Sequence, residues 1–511
     1  MRHIVFPLIL TAMFAAPALA QNSRAGSEPL KLTVEDAVRL ALDHNVDLAA
    51  DRLDPQIGDT RVAAAAGAFK PAISSNVQRN NQLQPPSSFL VPAPTRNDVV
   101  TTTFGVNQRL PWFGTSYSVA WDASHTQSNS FLNSYNPILR SGLSLNVSQP
   151  LLRDFRVDNA RLQLTQSQRN REIAGTRLQE SVVQTTADVK SAYWNLVSAL
   201  ANVEARGTAV QLAAELTRVN RAKVDVGQSP PLDLLSAEAE VAANQEQLII
   251  AETAVKQAED RLRLLIFDPT DRAIWNVRLE PVDAPPVGFT AVDVDAAVTR
   301  ALGDRADLLR ARKDIDIAQA NVQFTASQRL PDIRLNASYQ ASGLGGTEVL
   351  RAGGFPGTIV GSGAVTNFGT VVDQLFRNDY PTWALGVSVS YPIGGGIEDA
   401  RHAQSRLERA QADERLKSAQ AKVIQQVRDA AWKIEMNARR IETARAARDL
   451  AEQRLDAEQK RFEVGMSTSF LVIQAQRDFA QAKTNALGAV LAYDLALVDF
   501  EALQQAGPAA K

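Results

Sequence analysis

The sequence predicts a mainly α-helical fold with a β-barrel portion, built as a tandem repeat. Three observations predict it. First, Val34-Glu35-Asp36-Ala37-Val38-Arg39-Leu40-Ala41-Leu42 is matched by Val294-Asp295-Ala296-Ala297-Val298-Thr299-Arg300-Ala301-Leu302, an offset of 260 (34 to 294). The same offset pairs Asp47-Leu48 with Asp307-Leu308 and Pro71-Ala72-Ile73 with Pro331-Asp332-Ile333. Second, stretches that alternate apolar and polar residues follow each copy. Third, two long helix-forming runs turn at similar tips, Val226-Gly227 and Val464-Gly465, 238 positions apart (227 to 465). Ungapped matches at one offset mark a duplication. Each half reads helix, strands, long helix, shorter helix.

The chain opens with Arg2 and His3, an apolar run from Ile4 to about Ala16, then Ala18-Leu19-Ala20 before Gln21. A basic start, a brief apolar stretch and a small-residue cleavage site make residues 1–20 a secretory signal peptide. The run is too short to span a bilayer comfortably, and Gln21 offers no site for lipid attachment. No later segment is long and apolar enough for a transmembrane helix. An exported chain of this kind is either soluble or enters a membrane as a closed β-barrel. Lys+Arg 54 against Asp+Glu 56 gives no reason to expect nucleic acid as a partner. The chain has no cysteine, which excludes disulfides, thiolate metal sites and thiol nucleophiles.

Each half begins with an amphipathic, alanine-rich helix, from about Val34 to Phe69 and from about Val294 to Gln328, with apolar residues at three- and four-residue spacing. Pro55 stands in the first copy where the second has Ile315, and an internal proline kinks a helix, so a bend is expected near Leu53. Both helices end at a proline, Pro71 or Pro331. The period then becomes two. Ile333, Leu335, Ala337 and Tyr339 alternate with Arg334, Asn336 and Ser338; Leu143, Leu145 and Val147 alternate with Ser144, Asn146 and Ser148; Leu385, Val387, Val389 and Tyr391 alternate with Gly386, Ser388 and Ser390. Roughly ten residues alternating apolar-out and polar-in is the pattern of an outer-membrane strand, although a half-buried strand of a soluble sandwich reads the same way. Turn-rich stretches from about Gln84 to Asn97 and Ala341 to Asn378 read as extracellular loops. Residues 103–107 and 117–121, around Pro111-Trp112-Phe113-Gly114, read as an additional hairpin, inside or outside the barrel.

The long helices follow, from about Asn159 to Asp225 and Glu398 to Glu463. At 1.5 Å per residue each reaches about 100 Å. Val423, Val427, Ala430, Ile434, Ile441 and Ala444 in one, and Val189, Ala192, Leu196 and Val203 in the other, keep coiled-coil spacing. Small alanines on these seams suit a wall of several helices better than a two-stranded coil. Shorter helices return from about Leu232 to Leu265 and Thr468 to Leu503. An opening helix and a returning helix together match one long helix in length, which suggests that they stack end to end beside it. Pro281, Pro285 and Pro286 mark a linker. The expected organisation is therefore a signal peptide (1–20), a first repeat (21–280), the linker (281–292), a second repeat (293–505) and a C-terminal tail (506–511).

No catalytic constellation emerges. His3, His44, His125 and His402 fall in unrelated segments without metal-ligand spacing. Gly394-Gly395-Gly396 lacks the Lys-Ser/Thr of a phosphate loop and suits a sharp strand-to-helix exit. The acidic residues are spread along helix faces, where a solvated charge is the ordinary state. Neither an enzyme activity nor a cofactor is expected.

From Leu32 to Gln505 the chain resembles the TolC-like outer-membrane efflux family. The resemblance rests on the repeated Val34–Leu42 helix with its proline-terminated end, and on the Val-Gly tip followed in the first copy by Asp233-Leu234-Leu235. It implies a homotrimer whose strands close one outer-membrane β-barrel continuous with a long periplasmic α-helical barrel. It implies outer-membrane lipid around the barrel, a periplasmic adaptor (membrane fusion protein) docked at the tips, and an inner-membrane transporter of RND, ABC or MFS type. Conduction would be passive. The docking residues would be Val226, Gly227, Ser229, Pro230, Pro231, Asp233 and Leu234 in the first tip, and Val464, Gly465, Ser467, Thr468, Phe470 and Leu471 in the second.

Family members with a known closed state hold an aspartate of the first tip to a tyrosine and an arginine near the second, and two further aspartates ring the pore. Asp233 matches the first aspartate. Phe462 stands in the tyrosine's place without a hydroxyl, Ser467 replaces the arginine, and Leu471 and Gln474 replace the ring aspartates. The candidate gate is therefore Lys223, Asp233 and Gln474, with Lys223 as the alternative donor to Asp233. The competing reading is a periplasmic coiled-coil scaffold or adaptor without a pore. An adaptor carries one hairpin within a lipoyl-like β domain, whereas this chain has two hairpins and alternating strands.

Overall fold

The protein is described by a computed structural model that covers residues 29–86, 93–285, 292–354, 357–391, 393 and 396–504. The expected signal peptide, residues 286–291 of the linker, Gly394 and Gly395, and the 506–511 tail lie outside the described residues.

The first half runs through β1 (Leu30–Leu32), α1 (Val34–His44), α2 (Val46–Asp51), α3 (Leu53–Ala66), a 3-10 turn (Gly67–Phe69), and strands β2 (Ala72–Gln84), β3 (Thr95–Arg109), β4 (Ser116–Ser128) and β5 (Tyr135–Pro150). The helical hairpin α4 (Asn159–Asp225) and α5 (Pro231–Ile266) follows, then β6 (Leu279–Pro281). The second half repeats the plan with α6 (Val294–Asp304), α7 (Ala306–Gln328), β7 (Asp332–Ala352), β8 (Thr358–Thr366), α8 (Phe368–Arg377), β9 (Tyr380–Ser390), α9 (Ile397–Glu463) and α10 (Ser469–Ala502). None of the described helices is long and apolar enough to cross a membrane.

Two compact units arise, and both draw on both sequence halves. Of the described residues, one unit comprises those up to His44, those of 189–285 and Leu450–Leu487; the other comprises those of 45–188, those of 292–449 and those from Gly488. In the first unit, Ala37 and Ala41 of α1 and Leu262 and Ile266 of α5 pack on Val189, Ala192, Tyr193 and Leu196 of α4. The ends of α1 and α5 thus meet on one stretch of the long helix. The Tyr193 hydroxyl donates to the Leu32 carbonyl (3.0 Å) and accepts from the Asp283 N–H (3.1 Å). Pro281, expected in the linker, ends β6, which pairs in parallel with β1.

The second unit holds the equivalent core 238 residues on. Val427, Ala430 and Ile434 of α9 replace Val189, Ala192 and Leu196, and they meet Ala297 and Ala301 of α6, Leu308 of α7, and Ala489, Tyr493 and Phe500 of α10. The seam of α9 is therefore shared among several helices and is no two-stranded coil.

Both opening helices break at a position where no break is expected. α1 stops at Asn45, whose extended backbone and side chain, accepting from the Leu48 N–H at 2.9 Å, start α2. The second copy, expected to be continuous from Val294 to Gln328, breaks at the equivalent Arg305 (φ −62°, ψ 131°). There the Asp307 carboxylate takes the Leu308 N–H and the Arg305 guanidinium, so local polar groups replace helical hydrogen bonds. The expected bend near Leu53 is a milder interruption at Arg52.

Six strands of the second unit form one curled antiparallel sheet in the order β2-β3-β4-β5-β7-β9, with β8 pairing the far end of β7. The additional hairpin is thus part of the sheet. Register links Ile73, Val106, Val119, Leu145, Tyr339 and Trp383 in one apolar row across all six strands. The adjacent row on the other face is Ala72, Asn107, Ser118, Asn146, Ser338 and Ala384, and that polar face is concave. Strand alternation sorts the two rows to opposite faces.

The stretch from Ala341 to Asn378, expected to be a loop, carries the end of β7, β8 and the amphipathic α8. Val371 and Leu375 of α8 are buried. A Cβ on Gly343 would lie 2.2 Å from the Val371 carbonyl oxygen, so this glycine permits the helix to lie on the apolar side of the sheet.

Candidate functional site: the paired hairpin tips

Both tips lie in the first compact unit. Each turns by the same device. Gly227 (φ +73°) ends α4, with the Gly227 N–H donating to Val224 O and the Gln228 N–H to Lys223 O. Gly465 (φ +75°) ends α9, with Gly465 N–H to Phe462 O and Met466 N–H to Arg461 O. This pair of bonds around a left-handed residue is a Schellman cap, and glycine takes that conformation without steric cost. Pro230, extended, and Pro231 at the first helical position then start α5, as proline does well where no N–H is needed.

The tips differ beyond the turn. Val472 and Ile473, at the start of α10, are buried with Phe462 against Leu216 and Val219 of α4. Their counterparts in the first tip face outward: Leu235 is 62% exposed and Leu234 half-buried. Val226, Leu232, Val464, Met466 and Phe470 are also exposed, each at 68–78%. The tips therefore present apolar side chains to the surroundings. Of these, Leu232, Leu235 and Met466 were not among the residues singled out from sequence. Their position beside the two helix-stop glycines was the signal available. Gly227, Pro230, Pro231, Gly465, Thr468 and Leu471 are also exposed, while Ser229 and Ser467 are half-buried. The Ser467 hydroxyl donates to Glu458 at 2.7 Å.

Polar ties join the first hairpin to the second. The Lys223 ammonium donates to the Phe462 carbonyl at 3.0 Å and stands 3.6 Å from the centre of its ring. The Gln476 amide donates to the Leu212 carbonyl at 3.1 Å. Arg477 of α10 donates twice to one oxygen of Glu240 on α5, at 3.0 and 2.6 Å, and this hydrogen bond, then the attraction of the two charges, raises the Arg477 pKa. Glu240 is buried, and Asn244 donates to its other oxygen at 3.2 Å.

Lys223 is thus not the donor to Asp233. It sits in the last turn of α4 and reaches the buried ring of Phe462, while Asp233 lies in the first turn of α5, its backbone bonded to Pro230 and Asn220. Among the described residues no side chain bonds the Asp233 carboxylate. Gln474 is turned along its own helix and donates to Asp478 at 2.9 Å. The three candidate gate residues are therefore not in mutual contact within one protomer.

The family profile described as "Outer membrane efflux protein" matches residues 106–266 and 297–504. The outer membrane efflux protein BepC of Brucella suis biovar 1 (strain 1330) is 24% identical over 482 residues, covering 94% of this chain and 86% of that protein. Among solved structures, a membrane protein from Pseudomonas aeruginosa superposes with a TM-score of 0.68 at 16% identity, covering 92% of this chain and 93% of the other. The CmeC outer membrane channel of Campylobacter jejuni gives 0.65 at 14% identity, covering 98% and 94%. The open state of the MtrE outer membrane channel of Neisseria gonorrhoeae gives 0.60 at 17% identity, covering 93% and 90%.

Proposed function

Because the chain belongs to the outer membrane efflux protein family, whose fold is that of outer-membrane channels and not of an enzyme, we propose that it is the exit duct of a tripartite efflux or type I secretion system. Three copies form the duct. An inner-membrane transporter of RND, ABC or MFS type hands substrate over through a periplasmic adaptor, and the substrate passes down its gradient through the duct. The observation that carries this reading is the pair of tips: two turns of the same geometry, each presenting exposed apolar side chains next to polar ties between the hairpins. Such a surface suits a helical partner that buries Val226, Leu232, Met466 and Phe470 on docking, because clustered exposed apolar groups mark interaction sites. The Lys223–Phe462 tie serves as a link that holds the two tips together until the partner engages.

The pore-free scaffold reading is disfavoured by the apolar row that crosses six strands. A soluble scaffold would need another apolar layer to cover it.

The test is fractionation followed by crosslinking from the tips. The expected result is an outer-membrane oligomer that dissociates only on heating, and a photoreactive residue at Met466 or Leu232 that captures a periplasmic adaptor. Recovery of the protein as a soluble monomer overturns the duct. Capture from mid-helix positions but never from the tips overturns the docking role.

A further inference from the structure

We infer that this duct closes as an eighteen-stranded barrel, six strands from each of three copies, with β9 of one copy pairing with β2 of the next; the inference rests on the trimeric reading above. The six strands that share the apolar row run alternately up and down through the sheet. The added hairpin β3–β4 is no appendage. Its outward side chains Phe104, Val106, Val119 and Trp121 continue the row begun by Ile73 and carried on by Leu145. Its turn is fastened at the end where β5 leads into α4. The Phe113 ring stacks on Phe155 at 5.1 Å, and the Gln149 amide donates to the Phe113 carbonyl at 3.0 Å. The 260-residue offset at the opening helices drops to 238 at the tips, so the first half holds 22 more residues between them. The hairpin is thus an enlargement of the first half.

The two edges fit each other. β2 has 13 residues and β9 has 11, and both are exposed along their whole length. Among the described residues each bonds a neighbour on one side only, β3 or β7. An open edge of unpaired N–H and C=O groups is not tolerated in lipid. β2 leaves the helical end of the sheet and β9 returns to it, so they meet antiparallel, and an even number of strands per copy preserves the alternation around the ring. Ile73 and Val77 on one edge, and Leu385 and Val387 on the other, are 61–70% exposed and carry the apolar row across the seam. Barrel width grows roughly linearly with strand number, so eighteen strands open a lumen about half as wide again as twelve would without the hairpin. A duct of that width takes bulkier cargo through the outer membrane, with selection left to narrower points.

The experiment exploits the absence of native cysteine. Ala384→Cys is combined in turn with Ser74→Cys, Asn76→Cys and Gln78→Cys, all on the concave face, and oxidised in intact membranes. A covalent dimer and trimer ladder from at least one pair is expected. In parallel, Val119→Cys, Phe104→Cys, Leu145→Cys and Leu385→Cys carry a fluorophore in vesicles containing brominated lipid. Comparable quenching at all four sites is expected. Quenching at Leu145 and Leu385 with none at Phe104 and Val119 overturns the eighteen-stranded barrel, as does failure of every β9–β2 pair to crosslink. The single-cysteine proteins should still run as heat-dissociable outer-membrane oligomers. Loss of that oligomer in the unlabelled wild type would instead strike the duct reading itself.

Discussion

Replacing Lys223 with methionine tests the link between the tips most directly. The variant keeps the aliphatic stem and removes the charge. Two interactions disappear: a bond to the Phe462 carbonyl at 3.0 Å and a cation 3.6 Å from the ring centre. A cation over an aromatic face contributes about 0.5–1 kcal/mol at exposed sites and about 2 when desolvated. A hydrogen bond from a charged donor contributes about 1.5–3 kcal/mol. Lys223 is half-buried and regains hydration when released, so the low ends apply and the combined loss is about 2 kcal/mol. That shifts a tied–untied equilibrium about 30-fold. In planar bilayers the open fraction of single channels should rise by that factor for Lys223→Met. Phe462→Leu removes the ring but keeps the carbonyl, so it should give part of the effect, and the double variant should fall short of the sum by the ring term alone, about 0.5 kcal/mol. An open fraction unchanged in Lys223→Met, or single effects that add without shortfall, would refute the link.

Three further outcomes follow from the structure. Gly227→Val and Gly465→Val place a β-branched residue at φ +73° and +75° with open space around each Cβ; strain of about 1–2 kcal/mol per turn should reduce export while heat-stable oligomer yield stays unchanged. Asp494 on α10 is buried, one of its oxygens has no hydrogen-bond partner, and burial pushes its pKa up to about 7. Its folded pKa exceeds its unfolded value, so folding holds the proton and stability falls as pH rises from about 4 to about 7, then levels. Melting temperature should drop across that window, and Asp494→Asn should flatten the profile and melt higher at pH 8; an unchanged slope would exclude Asp494 as its source. Tyr193→Phe leaves the Asp283 N–H without its hydroxyl partner and should lower stability by about 1–2 kcal/mol, read as an earlier urea midpoint with an unchanged slope.

The sequence carried the long elements well because their signals are local. The expected bounds of the first long helix, Asn159 and Asp225, are the observed ones, and the second starts one residue earlier than read, at Ile397. Coiled-coil spacing marks such a helix throughout its length, and a glycine stops it. The break at Arg305 has neither glycine nor proline to announce it. It depends on Asp307 bonding its own backbone neighbour and Arg305, a competition that residue preferences report only weakly. The 341–378 stretch failed for the opposite reason. Its glycines looked like loop punctuation, but Gly343 and Gly345 are small because α8 lies against them. A glycine that admits a close neighbour and a glycine that permits a turn are written with the same letter.

At the tips, the turns were legible and the tie was not. Gly227 and Gly465 each follow a helix whose period stops, and the structure places both in the left-handed conformation. Lys223, by contrast, reads in sequence as a donor to Asp233, a carboxylate ten positions away, and nothing in the sequence points it to a ring 239 positions away. Charge favours Asp233. Geometry decides otherwise, because the chain reverses at Gly227 and Asp233 enters α5 with its backbone already engaged, while the core formed by Leu216, Val472 and Ile473 brings the Phe462 ring under the end of α4. A buried ring whose own carbonyl lies 3.0 Å from the ammonium offers two attractions on one residue. The apolar contacts that bury Phe462 therefore set the polar chemistry of the link. A substitution at Val472 or Ile473 that unseats the ring should loosen Lys223 without touching any charge.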